Sequence, residues 1–224
     1  DKIEKYLGKD TIIVLTGQRR VGKSYTLRMI RDIKAKDENN NIIYIDKEKK
    51  AFDHIKTYHD LNTYIAAHYQ TGKMNYILID EIQEIEEFER TVRSYITEPD
   101  AEVLVTGSNA KMLSKELSTI IGGRYKEIYV QSLSYKEFLQ FHKLQDSDDA
   151  LAKYIQFGGL PGLVKIGLDE DDASEYQKDV LNTVLLKDVI SRNKIRNVSF
   201  LEKLTDFIAD NIGKIISASS ISKF

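Results

Sequence analysis

Short apolar runs recur through the first 130 residues, at positions 12–15, 42–45, 76–79, 103–106 and 125–130. The first four are nearly unbroken and rich in Ile, Val and Leu, the pattern of strands buried on both faces. Between them the apolar residues change to helical spacing. Leu27, Ile30 and Ile33 line one face, and Leu61, Tyr64 and Ile65 another, with Asp60 expected as its cap and Gly72 as its end. Phe88, Val92, Tyr95 and Ile96 form a third face stopped by Pro99, and residues 111–121 read as a fourth helix. Alternating strands and helices with right-handed crossovers predict an α/β fold: a three-layer parallel sheet with helices on both faces.

After Val130 the alternation stops and only helical patterns follow. Ser134 and Glu137 make a capping box for a helix through Phe138, Leu139 and Phe141. A second helix is expected at 146–157, before the rigid break Gly158-Gly159-Leu160-Pro161-Gly162. A third spans 170–192, and Ser199 with Glu202 predicts another capping box for a helix running to Gly213. The expected division is a core at 1–133, a smaller all-helical domain at 134–213, and the start of a further element at 214–224.

The first strand runs into Gly17-Gln18-Arg19-Arg20-Val21-Gly22-Lys23-Ser24, which satisfies G-x-x-x-x-G-K-[ST]. Four fixed positions arise by chance in a chain this long roughly 1 time in 100. A strand before and a helix after the motif make a phosphate cradle the better reading than a glycine-rich turn. Glycines let successive N–H groups point inward, and the helix N-terminus adds partial positive charge. Lys23 is expected on the β- and γ-phosphates of ATP, and the Ser24 hydroxyl on Mg²⁺. The nucleotide-contacting stretch is assigned to Gly17, Gln18, Arg19, Arg20, Val21, Gly22, Lys23, Ser24 and Tyr25.

The third apolar run ends in Asp80-Glu81, and strand C-termini are where open α/β sheets bind ligands. Asp80 is expected beside Mg²⁺. Glu81 is expected to orient, or take a proton from, the water that attacks the γ-phosphate. Ser108 or Asn109, after the fourth run, can sense that phosphate or cap the next helix, and both readings stay open. Arg124 follows Gly122-Gly123, where spacing does not distinguish it from an ordinary surface arginine.

Composition narrows the partners. Net charge is -2 with a pI near 6.2, so no basic field advertises nucleic acid, although residues 1–36 carry ten Lys/Arg against four Asp/Glu. A phosphate-binding edge with solvated helix faces accounts for that excess better than a DNA-binding stripe. Whether DNA is bound stays open. There is no cysteine, which removes disulfides and thiolate metal sites, and the four histidines show no ligand spacing. Without a long apolar run or an N-terminal leader, the expected location is cytoplasmic with no membrane partner. A start at Asp1 and a stop at Phe224 suggest a fragment.

With GQRRVGKS (17–24), ILIDEIQ (77–83), LVTGSN (104–109), GGRY (122–125), SLSYKEF (132–138) and FGGLPG (157–162), the chain resembles prokaryotic AAA+-type P-loop ATPases. That resemblance implies ATP and Mg²⁺ as ligands, a lid in the helical segment and a truncated winged helix at 214–224. It also implies a missing C-terminal domain as partner. By the same resemblance Lys23, Ser24, Asp80 and Glu81 inherit nucleotide and metal roles, Ser108 or Asn109 a sensor role, and Arg124 a γ-phosphate contact. The arginine acts either in its own site or in a neighbour's after self-association, and a projecting Gly-Gly-Arg loop favours the neighbour. A GTPase reading fails because Asn193-Lys194-Ile195-Arg196 lacks the required Asp, and a transporter signature is absent. A small-molecule kinase stays as the lesser alternative, disfavoured by Glu81 because water activation would waste ATP. A nucleotide-gated switch with little turnover stands as the alternative to an ATPase.

Overall fold

The computed structural model describes residues 2–107, 122–184, 189–190, 197–215 and 217–221. By its internal contacts the chain forms two compact units, Asp1–Leu168 and Asp169–Phe224.

The first unit is built on five parallel strands: β1 (Ile12–Thr16), β2 (Asn40–Asp46), β3 (Met74–Asp80), β4 (Ala101–Thr106) and β5 (Tyr125–Tyr129). Their order is β2-β3-β4-β1-β5, so β1 lies between β4 and β5 and the β1–β2 crossover passes over two strands. Residues along a strand face alternate sides. Ile12, Val14, Ile77, Ile79, Val103 and Val105 enter one apolar layer with Leu61, Ile65, Phe88 and Val92. Ile13, Leu15, Leu78 and Leu104 enter the other with Leu27 and Ile30. Both faces are covered, which is why the runs read as continuous rather than alternating.

The second layer is supplied by α1 (Lys23–Lys34). Ile33, the last of its expected apolar positions, lies outside the core at 52% exposure. Helices α2 (Tyr58–His68) and α3 (Phe88–Tyr95) cover the opposite face. The cap of α2 differs from expectation. Thr57 is the N-cap and Asp60 the reciprocal partner three positions on: Thr57 Oγ1 accepts from the Asp60 N–H, and Asp60 Oδ2 accepts from the Thr57 N–H at 2.9 Å. A lone Asp before an apolar run did not reveal which half of the box it was. The segment between β2 and α2 is a loop with one 3₁₀ turn, held where Lys47 Nζ donates to the carbonyls of Phe52 and Ile55 at 2.6 Å.

Among the described residues of this unit three more helices follow β5: α4 (Tyr135–His142), α5 (Asp148–Phe157) and α6 (Leu163–Ile166). The Ser134–Glu137 capping box is present as expected. Gly159 lets the turn after α5 approach the segment before α4, because a Cβ there would lie 2.1 Å from the Leu133 carbonyl oxygen.

The second unit contains α7 (Glu170–Thr183), α8 (Val198–Asp210) and the single turn α9 (Ala218–Ile221). The Ser199–Glu202 box is corrected. Asn197 is the N-cap, its side chain accepting from the Phe200 N–H at 2.9 Å, and Ser199 lies inside α8. The i, i+3 spacing of a box also occurs between neighbours within a helix, so the motif alone does not fix a start. The expected helix at 111–121 and part of that at 170–192 fall outside the described residues. No described helix is long and apolar enough to cross a membrane.

Candidate functional site

The chain leaves β1 at Thr16 and returns as α1 at Lys23 through a loop whose backbone needs its glycines. Gly17 has φ 139°, and a Cβ on it would sit 2.2 Å from the Val130 carbonyl oxygen. Gly22, at φ 102°, is the N-cap of α1. Lys23 begins that helix and is only 5% exposed. Its Nζ donates to the carbonyls of Gly17 at 3.0 Å and Gln18 at 2.9 Å, so the ammonium lies inside the curve of the loop. Of the other expected contacts, Val21 is buried, Arg19 half-buried, and Gln18 and Arg20 exposed. Tyr25 points outward at 61% exposure.

Ser24, one residue further, donates from Oγ to Asp80 Oδ1 at 3.0 Å. Asp80 ends β3 and is 1% exposed. Thr106, at the end of β4, also donates to Asp80 Oδ1, and its hydroxyl accepts from the Glu81 N–H at 3.0 Å. Burial pushes the Asp80 carboxyl up from its ordinary value, with Asp46 and Glu81 adding to the rise and the Thr106 and Ser24 donors opposing it. Asp46 stands beside Asp80 in the β2–β3 register and is also buried. It accepts from the Glu48 N–H at 3.1 Å and lies 3.6 Å from Lys49 Nζ.

The half-buried Ser24 hydroxyl on the buried Asp80 carboxylate is a hard oxygen pair suited to Mg²⁺. Among the described residues no group of three or more His, Cys, Asp or Glu offers a metal cage. Mg²⁺ does not require one, since it keeps several waters and phosphate oxygens among its ligands.

Glu81 adopts a left-handed backbone, φ 53° and ψ 52°, unusual for a residue with a side chain. It is 9% exposed, and its Oε2 accepts from Gln83 Nε2. Gln83 Oε1 is buried with no hydrogen-bond partner among the described residues. A cavity of about 1140 Å³ adjoins the loop, lined among others by Lys5, Tyr6, Gln18, Val21, Gln131 and Tyr154.

Arg124 is elsewhere. Its carbonyl accepts from the Ile12 N–H at 3.1 Å, at the beginning of β1, whereas the glycine loop leaves the end of β1. Parallel pairing of Ile12 with Tyr125 and Thr16 with Tyr129 puts a full strand, about 16 Å, between them. A contact between Arg124 and a nucleotide in its own loop does not fit this placement. Arg124 instead lines an open depression of about 590 Å³ with Arg90, Arg93, Ser94 and Thr97. Ser108 and Asn109 lie outside the described residues.

Thr106 and Asp46 were not expected at the site. Each ends an apolar strand with a polar side chain, the same signal that marked Asp80.

Comparison with known proteins places these features in a family. A family model described as an AAA domain matches residues 9–139, and one described as a domain of unknown function matches 148–224. An uncharacterized protein of Haemophilus influenzae is 31% identical over 220 residues, covering 95% of this chain and 54% of its own length. An uncharacterized protein of Methanocaldococcus jannaschii is 29% identical over 231 residues, covering 98% and 51%. The chain thus spans about half the length of these relatives. Among solved structures, the Aeropyrum pernix ORC1 protein in complex with DNA overlaps with a TM-score of 0.46 at 11% identity, covering 99% of this chain and 74% of that one. Domain III of the Thermotoga maritima replication initiation protein DnaA overlaps at 0.45 and 13%, covering 80% and 88%. With a match over more than half its length and a P-loop between β1 and α1, the chain belongs to the AAA domain family of nucleotide-binding proteins.

Proposed function

We propose that this domain binds ATP with Mg²⁺ and hydrolyses the β–γ phosphoanhydride bond, passing the change in nucleotide state to the helices after residue 133 and to further domains of a longer chain. One observation carries the reading. Lys23 and Ser24 from the first turn of α1 meet Asp80 and Glu81 from the end of β3, and Thr106 from the end of β4 ties the two acids together.

In this reading the loop N–H groups and Lys23 hold the phosphates, with the ammonium leaving the Gly17 and Gln18 carbonyls for the β- and γ-oxygens. Ser24 and Asp80 hold Mg²⁺, which when bound offsets charge on the phosphate oxygens. The cavity beside Gln18 and Val21 takes the base and ribose. Glu81 accepts a proton from water as its oxygen bonds to the γ-phosphorus. The bond from that phosphorus to the bridging oxygen breaks, and ADP leaves with the electron pair. Arg124 reaches the γ-phosphate of a second copy of the chain, since its own site is a strand length away. Helices α4 and α5, inside the same compact unit as the sheet, are the first elements positioned to respond. A cysteine-free chain of this kind would act in the cytoplasm.

Phosphate release tests the proposal. Wild-type protein should release phosphate from ATP in the presence of Mg²⁺, and Lys23→Ala should not. Stable ATP binding without release in the wild type would favour a nucleotide-gated switch instead.

A further inference from the structure

Gln83 follows Glu81 by two residues, on a one-turn 3₁₀ helix (Ile82–Glu84) whose mounting is rigid. Ile82 and Ile85, on either side of the glutamine, are fully sunk in the apolar layer. The Glu84 N–H closes the turn onto the Glu81 carbonyl at 3.1 Å, and the Ile85 N–H onto the Ile82 carbonyl at 3.0 Å. The glutamine therefore projects from an anchored turn rather than from a free loop.

Chemistry fixes the orientation of its amide, since only the NH₂ end can donate to a carboxylate. Nε2 donates to Glu81 Oε2, which leaves Oε1 as a buried acceptor that nothing among the described residues satisfies. A buried acceptor without a donor is unfavourable, and such groups in folded proteins call for an explanation. A water that attacks phosphorus supplies the missing donor. It has two O–H bonds and must aim a lone pair at the phosphorus, so both protons need acceptors on the protein side. The Glu81 carboxylate accepts one. Oε1 belongs to the same planar amide that already touches that carboxylate, so it adjoins any water bound there.

Resting on the hydrolytic reading of Glu81, we propose that Gln83 is a positioning residue: its Nε2 fixes the Glu81 carboxylate, and its Oε1 accepts the second proton of the attacking water. The water's first proton passes to Glu81, the second stays on the oxygen that becomes part of the phosphate, and Gln83 is chemically unchanged.

The test compares wild type, Gln83→Ala and the length-matched Gln83→Met, each alone and combined with Glu81→Gln. Both Gln83 variants should lower kcat at least about tenfold, a share of the 10²–10⁴ that a positioned base supplies, while KM and the thermal shift given by Mg·ATP stay as in wild type. In the Glu81→Gln background the same changes should cost nothing more, because the two residues act as one unit. A second readout needs no nucleotide. In ¹⁵N-labelled protein the Gln83 side-chain amide resonance, identified by its loss in Gln83→Ala, should move when Glu81→Ala removes its acceptor. An unchanged or raised kcat, a rise in KM alone, an equal further loss in the Glu81→Gln background, or a resonance indifferent to Glu81 would each overturn the proposal. If Glu81→Gln itself retains full turnover, the hydrolytic reading fails first and takes this role with it.

Discussion

The Ser24 hydroxyl donates to Asp80 Oδ1 at 3.0 Å, although β1, which leads into the helix of Ser24, and β3, which ends in Asp80, are not neighbours in the sheet. Strand β4 runs between β1 and β3, and its last residue, Thr106, bonds to Asp80 and to the Glu81 N–H. The first turn of α1 and the ends of β3 and β4 are thus tied together by side chains at the carboxyl edge of the sheet, where open α/β sheets bind ligands.

ATP binding should depend on Lys23. Mg·ATP at saturating concentration should raise the melting temperature of the wild type by mass action, with about 2.7 kcal/mol available at 100 times Kd. Lys23→Ala should lose most of that shift. Equal shifts in the two proteins, followed by scanning fluorimetry, would remove the loop from the binding site.

Asp80 should make the nucleotide-free protein pH-sensitive. Its carboxyl is raised by burial above its ordinary 3.8. The stability it contributes is therefore complete below that value and lost as pH rises through the folded-state value. Asp80→Asn keeps an acceptor for Ser24 and Thr106 without the charge. Its melting temperature should exceed wild type near pH 7, and the gap should close as pH falls toward about 4. The same variant should respond less to Mg·ATP. A gap independent of pH would contradict the burial argument.

The two loop glycines should differ in cost. Gly17→Ala meets the Val130 carbonyl oxygen at 2.2 Å as well as the strain of φ 139°, whereas at Gly22 a Cβ has open space and only the strain of φ 102°. Denaturant midpoints should show Gly22→Ala losing about 1 kcal/mol and Gly17→Ala clearly more. The reverse order would mean that the loop packs differently against the end of β5.

Arg124 should act between copies. Specific activity per chain should rise with protein concentration, because an arginine supplied in trans is worth about 10³ or more in turnover. Arg124→Ala and Lys23→Ala protein, each inactive, should regain part of the activity when mixed. Flat specific activity with no rescue on mixing would discard the intermolecular arrangement.

Much of this was legible in the sequence because the signals were local. The strands announced themselves through unbroken Ile, Val and Leu runs, and the glycine loop through residue types that its backbone demands. What sequence did not give depended on which strands lie side by side. Thr106 and Asp46 join the site only because β4 and β2 flank β3, and nothing in a linear chain specifies that order. Arg124 is the sharper case. Its separation from the loop follows from β5 running parallel to β1, a non-local pairing that decides between the two sites that spacing left open. The misplaced caps at Asp60 and Ser199 have another cause. A capping box is two residues at helical spacing, so one half of a box, or two neighbours inside a helix, gives the same sequence pattern.

The most direct test of the central claim compares ATP hydrolysis by wild type and Glu81→Gln in a single-turnover experiment with bound nucleotide. Glu81 is held by Thr106 through its N–H and by Gln83 through its carboxylate. The amide variant should bind Mg·ATP with wild-type affinity and hydrolyse it about 10² or more times slower. Equal hydrolysis rates in the two proteins would contradict the assignment of Glu81 as the group that activates water.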